Sequence, residues 1–262
     1  MYDFELVKPT TVEEAVAALS GDEAQPLGGG QTLIPTMKQR LAMPGTLVST
    51  SGIASMKGVS ASGGVLTVGG ATTHGTVAAE AASSYPALAA LAGGIGDPAV
   101  RNRGTVGGSL ANNDPAACYP AGLLGSGGVV VTNTREIAAD DFFQGMFTTA
   151  LEEGELITAV KFNIPEKAAY AKFAQPASRF PLTAAFVAKT SDGVRVAITG
   201  ASEEGVFRWT EAEEALSSNF SAGAVDGLSV DADGMIGDIH GTPAYRAHLV
   251  KVMTKRAVTA AG

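Results

Sequence analysis

The 262-residue chain has one cysteine, one tryptophan and three histidines. The lone Cys118 excludes an internal disulfide, and also an iron–sulfur cluster or cysteine-rich zinc site held by this chain alone. As a free thiol it reads as a small buried hydrophobe rather than a reactive group. His74, His240 and His248 are scattered, none at metal-ligand spacing from another, and each reads as a lone surface residue. No G-x-S-x-G nucleophile elbow is present. Charge is sparse as well: charged residues are 17% of the chain, with a net charge of −8. The acidic balance argues against a nucleic-acid partner, which needs a basic footprint. So few charges lead us to expect that other subunits cover part of the surface. No apolar run approaches the ~20 residues of a membrane span. Met1-Tyr2-Asp3-Phe4-Glu5 has neither the basic flank nor the apolar core of a signal peptide, so a cytoplasmic location is expected.

What the chain has in excess is glycine. Its 33 glycines exceed the ~7% average usage and cluster in loops. Residues 93–120 (GGIGDPAVRNRGTVGGSLANNDPAACYP) hold too few large apolar side chains for a core element and offer a neighbour mostly backbone. Gly104, Gly107 and Gly108 allow positive φ or close approach, and Thr105, Ser109, Asn112, Asn113 and Asp114 put short polar groups beside them. Residues 27–33 (LGGGQTL) have the same character. Neither loop is followed by the lysine of a phosphate-binding P-loop. Gly28-Gly29-Gly30-Gln31-Thr32 lacks the third glycine of a dinucleotide fingerprint. Two such clusters still suggest two sides of one bound diphosphate, whose oxygens would accept backbone N–H bonds.

Taken in order, residues 4–7 and 24–27 read as strands. Between them a helix starts at Thr11, which has capping-box spacing to Glu14. Residues 33–41 read as a helix stopped by Pro44-Gly45. Short strands at 47–48 and 65–68 precede alanine-rich helices at 76–82 and 87–91, the second opened by Pro86. A hairpin is expected over 129–137, a short helix or turn from Asp140, and a strand over 156–162. From about residue 167 the pattern changes to three strands (170–173, 184–188, 194–199), then helices at 210–216 and 244–257, the latter capped by Thr242 with Pro243 in its first turn. Antiparallel strands followed by helices indicate a separate α+β domain.

At this point the residues resemble a known family. Residues 28–32, GGGQT, followed by Leu33-Ile34-Pro35, are similar to the AGG-H/Q-S/T-L-I/L-P signature of the flavin-binding medium subunits of molybdenum hydroxylases. That group includes the medium chain of aerobic carbon monoxide dehydrogenase and the flavin parts of xanthine dehydrogenases. IGDPAVRNRGTVGGS at 95–109 resembles the second signature, G-D-P-Q-V-R-N-R-G-T-I-G-G-N, and DPAACYPA at 114–121 continues it. The similarity runs through Glu155, Leu156 and Tyr170 to DIHGTPAYR near the end, covering nearly the whole chain.

The resemblance implies an α+β fold. Residues 1–166 would form an FAD-binding domain of the vanillyl-alcohol-oxidase (PCMH) type, with lobes of about 1–50 and 51–166. Residues 167–262 would form a smaller domain with a three-stranded antiparallel sheet and helices. It also implies roles. The backbone of Gly28, Gly29, Gly30, Gln31, Thr32 and Leu33, and that of Thr105, Gly107, Gly108 and Ser109, would hold the FAD diphosphate from opposite sides. Ile95, Asn112, Asp114, Leu156 and Lys172 would approach the cofactor. Cys118 stands where relatives carry an aspartate that bonds FAD, so that contact is lost, moved to Asn113 or Asp114, or made through water. A Gly107→Val change should remove FAD by blocking the backbone's approach.

The implied function is electron transfer in a heterotrimer. A large subunit with a molybdopterin cofactor oxidises substrate, a small subunit carries two [2Fe-2S] clusters, and this chain passes electrons from FAD to an external acceptor. A dimer of heterotrimers is expected. The alternatives are a self-contained flavin oxidase of the same superfamily and an assembly protein that has lost FAD. No catalytic acid–base pair is read in this chain, and no metal site.

Overall fold

Local sequence signals place the first elements. Thr11 accepts a hydrogen bond from Glu14 N at 3.2 Å while Glu14 accepts one from Thr10 N at 2.8 Å, which starts the first helix. In the computed structural model, which describes residues 1–262, this opens a small parallel sheet. Its parts are β1 (Glu5–Val7), α1 (Val12–Leu19), β2 (Ala24–Leu27), α2 (Leu33–Lys38) and β3 (Thr46–Ser49), with strand order β1-β3-β2. Arg40 at φ +62 turns the chain out of α2, shorter than the helix read from the sequence.

A second body follows, made of β4 (Val59–Ser62), β5 (Val65–Gly69), α3 (His74–Glu80), α4 (Pro86–Gly93), α5 (Pro98–Arg101), α6 (Val106–Asn112), α7 (Tyr119–Gly125), β6 (Val129–Thr132), β7 (Glu136–Ala138), α8 (Ala139–Phe142), β8 (Phe143–Gly145), β9 (Thr148–Thr149) and β10 (Ile157–Asn163). Its antiparallel sheet has the order β4-β5-β10-β6-β7, while β8 and β9 pair separately. The glycine-rich stretch 93–120 differs from its reading as loop backbone. It carries three helices, and Val106, Leu110 and Tyr119 from it are fully buried in the main core. Val106 and Leu110 are four apart and share one helix face, so two apolar residues suffice to seat α6.

The third body is an antiparallel meander, β11 (Lys167–Ala174), β12 (Pro181–Thr190), β13 (Gly193–Ser202) and β14 (Gly205–Arg208), with α9 (Thr210–Ser218) and α10 (Pro243–Ala261) packed on it. The sheet therefore gains a fourth strand beyond the three read from the sequence. β14 pairs only over a few residues, with an irregular register before the turn at Ser202 and Gly205, and is too short to show alternation. In α10, Leu249 and Met253 face the sheet as expected, whereas Tyr245 is 41% exposed and its neighbour Arg246 is buried. The reason is a set of acceptors at that point: Arg246 donates to Leu182 O at 2.6 Å, Gly200 O at 2.7 Å and Asp238 Oδ2 at 2.6 Å.

The meander is locked to the second body. Phe186 of β12 belongs to the main core cluster and lies edge-on to Tyr85 at 6.3 Å. A Cβ on Gly125 of α7 would lie 2.7 Å from its ring, so helix and sheet meet closely. Thr199 Oγ1 donates to Pro115 O at 3.0 Å and Ala117 O at 2.7 Å, and Gly200 N donates to Pro115 O at 2.7 Å. These bonds fix the segment leading into α7. Phe186→Ala should therefore cost about 3–5 kcal/mol of stability, read from the denaturant midpoint, because the cavity opens at a contact between two bodies. An unchanged midpoint would contradict that packing role.

Candidate functional site

β2 delivers the chain at Leu27 and α2 collects it at Leu33. In between, the N–H groups of Gly28, Gly29, Gly30, Gln31 and Thr32 donate no hydrogen bond within the chain. Gly30 has φ +72, the left-handed value that lets successive N–H groups converge. Five consecutive amides on a half-exposed loop are thus left with donors open to solvent or to an anion.

The second glycine stretch is arranged differently. Val106 N donates to Thr72 O at 3.1 Å, Gly107 N to Gly70 O at 2.9 Å, Gly108 N to the capping Thr105 Oγ1 at 3.2 Å, and Ser109 N to Thr105 O at 3.0 Å. Its amides are thus engaged in seating α6. On this side the groups left to meet a ligand are hydroxyls and the surface of Gly108. Glycine is needed here for close approach between chain segments. A Cβ on Gly29 would lie 1.9 Å from Arg103 O, one on Gly28 would lie 2.7 Å from Thr105 Oγ1, and one on Gly107 would lie 2.7 Å from Gly70 O. Gly107→Val thus acts on the Gly70 contact, not by filling a ligand's place.

The two stretches line one cleft of about 590 Å³ at the meeting of the three bodies, within the range of small-molecule and cofactor sites. Gly28, Gly29, Gly30, Gln31, Thr32, Leu33, Ile95, Thr105, Gly107, Gly108, Ser109, Asn112, Asp114 and Leu156 all line it. Lys172 does not: its ammonium stands behind the wall, donating to Gly94 O at 2.6 Å and Arg179 O at 2.9 Å, with Cys118 Sγ at 3.8 Å. Asn113 does not line the cleft: at φ +41 its Nδ2 donates to Gly145 O and Thr148 O at 2.8 Å each, and its Oδ1 is buried without a partner. Asp114 lines the cleft and uses one oxygen to accept from Ala116 N.

Several residues of the wall were not legible as site residues. His74 is buried, not on the surface, and it lines the cleft. Its ring lies 5.3 Å from that of Tyr119, and its Nδ1 has no partner in the chain. Burial, helped by the Arg101 charge, lowers its pKa to about 4, so it is neutral at pH 7. Arg101 donates to Ile95 O at 3.0 Å and Gly96 O at 2.9 Å, fixing the turn between α4 and α5. Ser178, Arg179, Phe180 and Pro181, from the turn joining β11 to β12, complete the wall. Below Leu156, Glu155 takes both Arg135 Nε and Nη2 at 2.9 Å and two threonine hydroxyls, which holds its carboxyl far below the usual range. Cys118 is buried in the wall as expected, and desolvation pushes its thiol pKa up against the pull of Lys172. No group of histidine, cysteine and carboxylate side chains is placed to hold a metal ion.

His74 generates a pH prediction. Its unfolded form takes a proton near pH 6.5, its folded form only near 4, so stability present above pH 6.5 is lost as pH falls toward 4. The loss from this group should reach roughly 3 kcal/mol. His74→Phe should flatten the fall in melting temperature between pH 6.5 and 4. An equally steep fall in the variant would contradict the assignment.

Residues 2–166 match the sequence profile described as "FAD binding domain in molybdopterin dehydrogenase". The chain is 34% identical to the nicotine 6-hydroxylase medium subunit of Paenarthrobacter nicotinovorans, over 97% of this chain and 95% of that one. It is 30% identical to the carbon monoxide dehydrogenase medium chain of Afipia carboxidovorans, with the same coverage. Its fold superposes on a chain of quinoline 2-oxidoreductase from Pseudomonas putida 86 with a TM-score of 0.89 and 28% identity, covering 99% of this chain and 97% of that one. The free amides of residues 28–32, the hydroxyls opposite and the apolar wall suit a diphosphate joined to a flat aromatic group. The chain belongs to the FAD-binding medium subunits of the molybdopterin dehydrogenases.

Proposed function

We propose that this chain binds FAD and serves as the electron outlet of a molybdenum hydroxylase. A large subunit would oxidise the substrate at its molybdopterin cofactor, and a small subunit would relay electrons through two [2Fe-2S] clusters to this chain. The observation that carries the reading is the run of five backbone donors without an internal acceptor, on a loop that lines the same cleft as Thr105 and Ser109. FAD supplies the exchange between one-electron and two-electron carriers. The chain's own residues bind and orient it: residues 28–33 hold the diphosphate with amides, and Thr105 and Ser109 face it with hydroxyls. Ile95, Asn112, Asp114 and Leu156 line its flanks, and Lys172 acts from behind the wall.

The boundary near residue 166, the dimer of heterotrimers, the cytoplasmic location and an external acceptor belong to the same proposal. No helix is long and apolar enough to cross a membrane. A self-contained oxidase is disfavoured by how little the C-terminal body adds over the cleft: only residues 178–181 reach it. The buried His74, its pKa lowered to about 4, carries no acidic proton to donate at pH 7 and is a weak base there, far from the match to operating pH that acid–base catalysis favours.

Two outcomes test this. The chain purified from its host should carry flavin absorbance and bring with it a molybdenum subunit and an iron–sulfur subunit; substrate-dependent bleaching of the chain alone would contradict it. Gly29→Ala should weaken FAD binding by at least about tenfold, since the added methyl forces Arg103 O away and opens the cleft. Unchanged FAD affinity in that variant would remove the closure of the two loops from the account.

A further inference from the structure

Three cations surround the turn at residues 94–96, and every carbonyl of that turn is held by one of them. Lys172 Nζ donates to Gly94 O at 2.6 Å, and Arg101 Nη1 donates to Ile95 O and Gly96 O. Arg179 Nη1 donates to Gly96 O at 3.3 Å. The ion pairs of this chain are made by Arg135, Lys161, Arg195, Arg208, Arg246 and Lys255, so none of the three has a carboxylate within 4 Å. The carboxylates nearest in sequence, Asp97 and Asp114, keep their charge but pair with none of the three: Asp97 caps α5 through Val100 N, and Asp114 accepts from Ala116 N. In a chain of net charge −8, three unneutralised cations at one turn are a concentrated feature. Ile95, Gly96 and Arg179 of this group line the cleft.

An ionisable acid does stand beside Lys172, but it is Cys118, with Sγ at 3.8 Å. It is buried in apolar surroundings that keep the thiol protonated. The position closest to supplying a counter-charge therefore supplies none. Cys118 also lines the cleft, so Lys172 acts on the cleft through a thin neutral wall. Arg179 is exposed and Lys172 and Arg101 are half-buried, so their charge reaches the cleft partly screened by solvent.

We propose that Lys172, Arg101 and Arg179 form an uncompensated cationic collar that raises the reduction potential of the FAD in this cleft, and that the thiol at Cys118 keeps the collar uncompensated. The inference rests on the FAD reading given above. FAD gains negative charge as it gains electrons, so a nearby positive field favours its reduced form and draws electrons toward this chain. Lys172 and Cys118 act here as positioning residues for charge, with no part in bond making.

The test is the midpoint potential of bound FAD, measured by spectroelectrochemistry on the full chain in its purified assembly, with sulfite affinity of the oxidised flavin as a second readout. Cys118→Asp places a carboxylate beside Lys172 and should shift the two-electron reduction equilibrium at least about tenfold toward oxidised FAD, about 30 mV lower. It should weaken sulfite binding in parallel. Cys118→Ser, neutral and similar in size, should leave the potential at the wild-type value. Lys172→Gln keeps donors for the carbonyls but removes the charge, and should lower the potential like Cys118→Asp. It decides the matter if the aspartate variant does not fold. Flavin retained with unchanged potentials in Lys172→Gln and Cys118→Asp would overturn this proposal alone. A lower potential in Cys118→Ser as well would overturn the assignment to charge. Absence of flavin from the wild-type assembly would overturn the FAD reading, and the collar's role with it.

Discussion

The cleft exists because two stretches of backbone meet without side chains between them. Gly29 lies so close to the Arg103 carbonyl, and Gly107 to the Gly70 carbonyl, that a single methyl would not fit at either contact. The first contact joins the small parallel sheet to the second body, and the second seats α6 at the end of β5. With both made, residues 28–32 line the same cleft as Thr105 and Ser109, their amides without an acceptor in the chain. At these positions glycine, the most conspicuous excess in the composition, serves close contact between chain segments.

The two glycine stretches divide their tasks. The first contributes donors, because a loop between a parallel strand and a short helix leaves its amides unpaired. The second contributes shape, because its amides close on Gly70, Thr72 and Thr105. The meander adds a third support through Thr199 and Gly200, which hold Pro115 and Ala117, and through Lys172, which ties Gly94 to Arg179. The cleft is therefore built by all three bodies, although few residues of the third line it.

Much of this was legible in the sequence because the signals are local. The caps at Thr11 and Thr242, the strand before Gly28, the hairpin at 129–137 and the short apolar run at 184–188 each lie within a few residues of what they specify. Both glycine signatures line the one cleft, and Lys172 stands just behind its wall. What was not legible depends on contacts across the chain. Nothing near His74 announces its burial, which is imposed by Tyr119 and Gly104 from the stretch packed over it. Arg179 reaches Gly96 across 83 positions. The engagement of Val106 and Gly107 follows from Thr72 and Gly70, which sit beyond any local pattern.

The central claim is that FAD is held by the amides of residues 28–32. Residue-resolved hydrogen exchange on the chain stripped of flavin and then reconstituted tests it most directly. The account predicts strong new protection at Gly28, Gly29, Gly30, Gln31 and Thr32, with little change at Val106, Gly107, Gly108 and Ser109, whose amides are already bonded. Protection that appears at residues 106–109 while 28–32 exchange as before would contradict it.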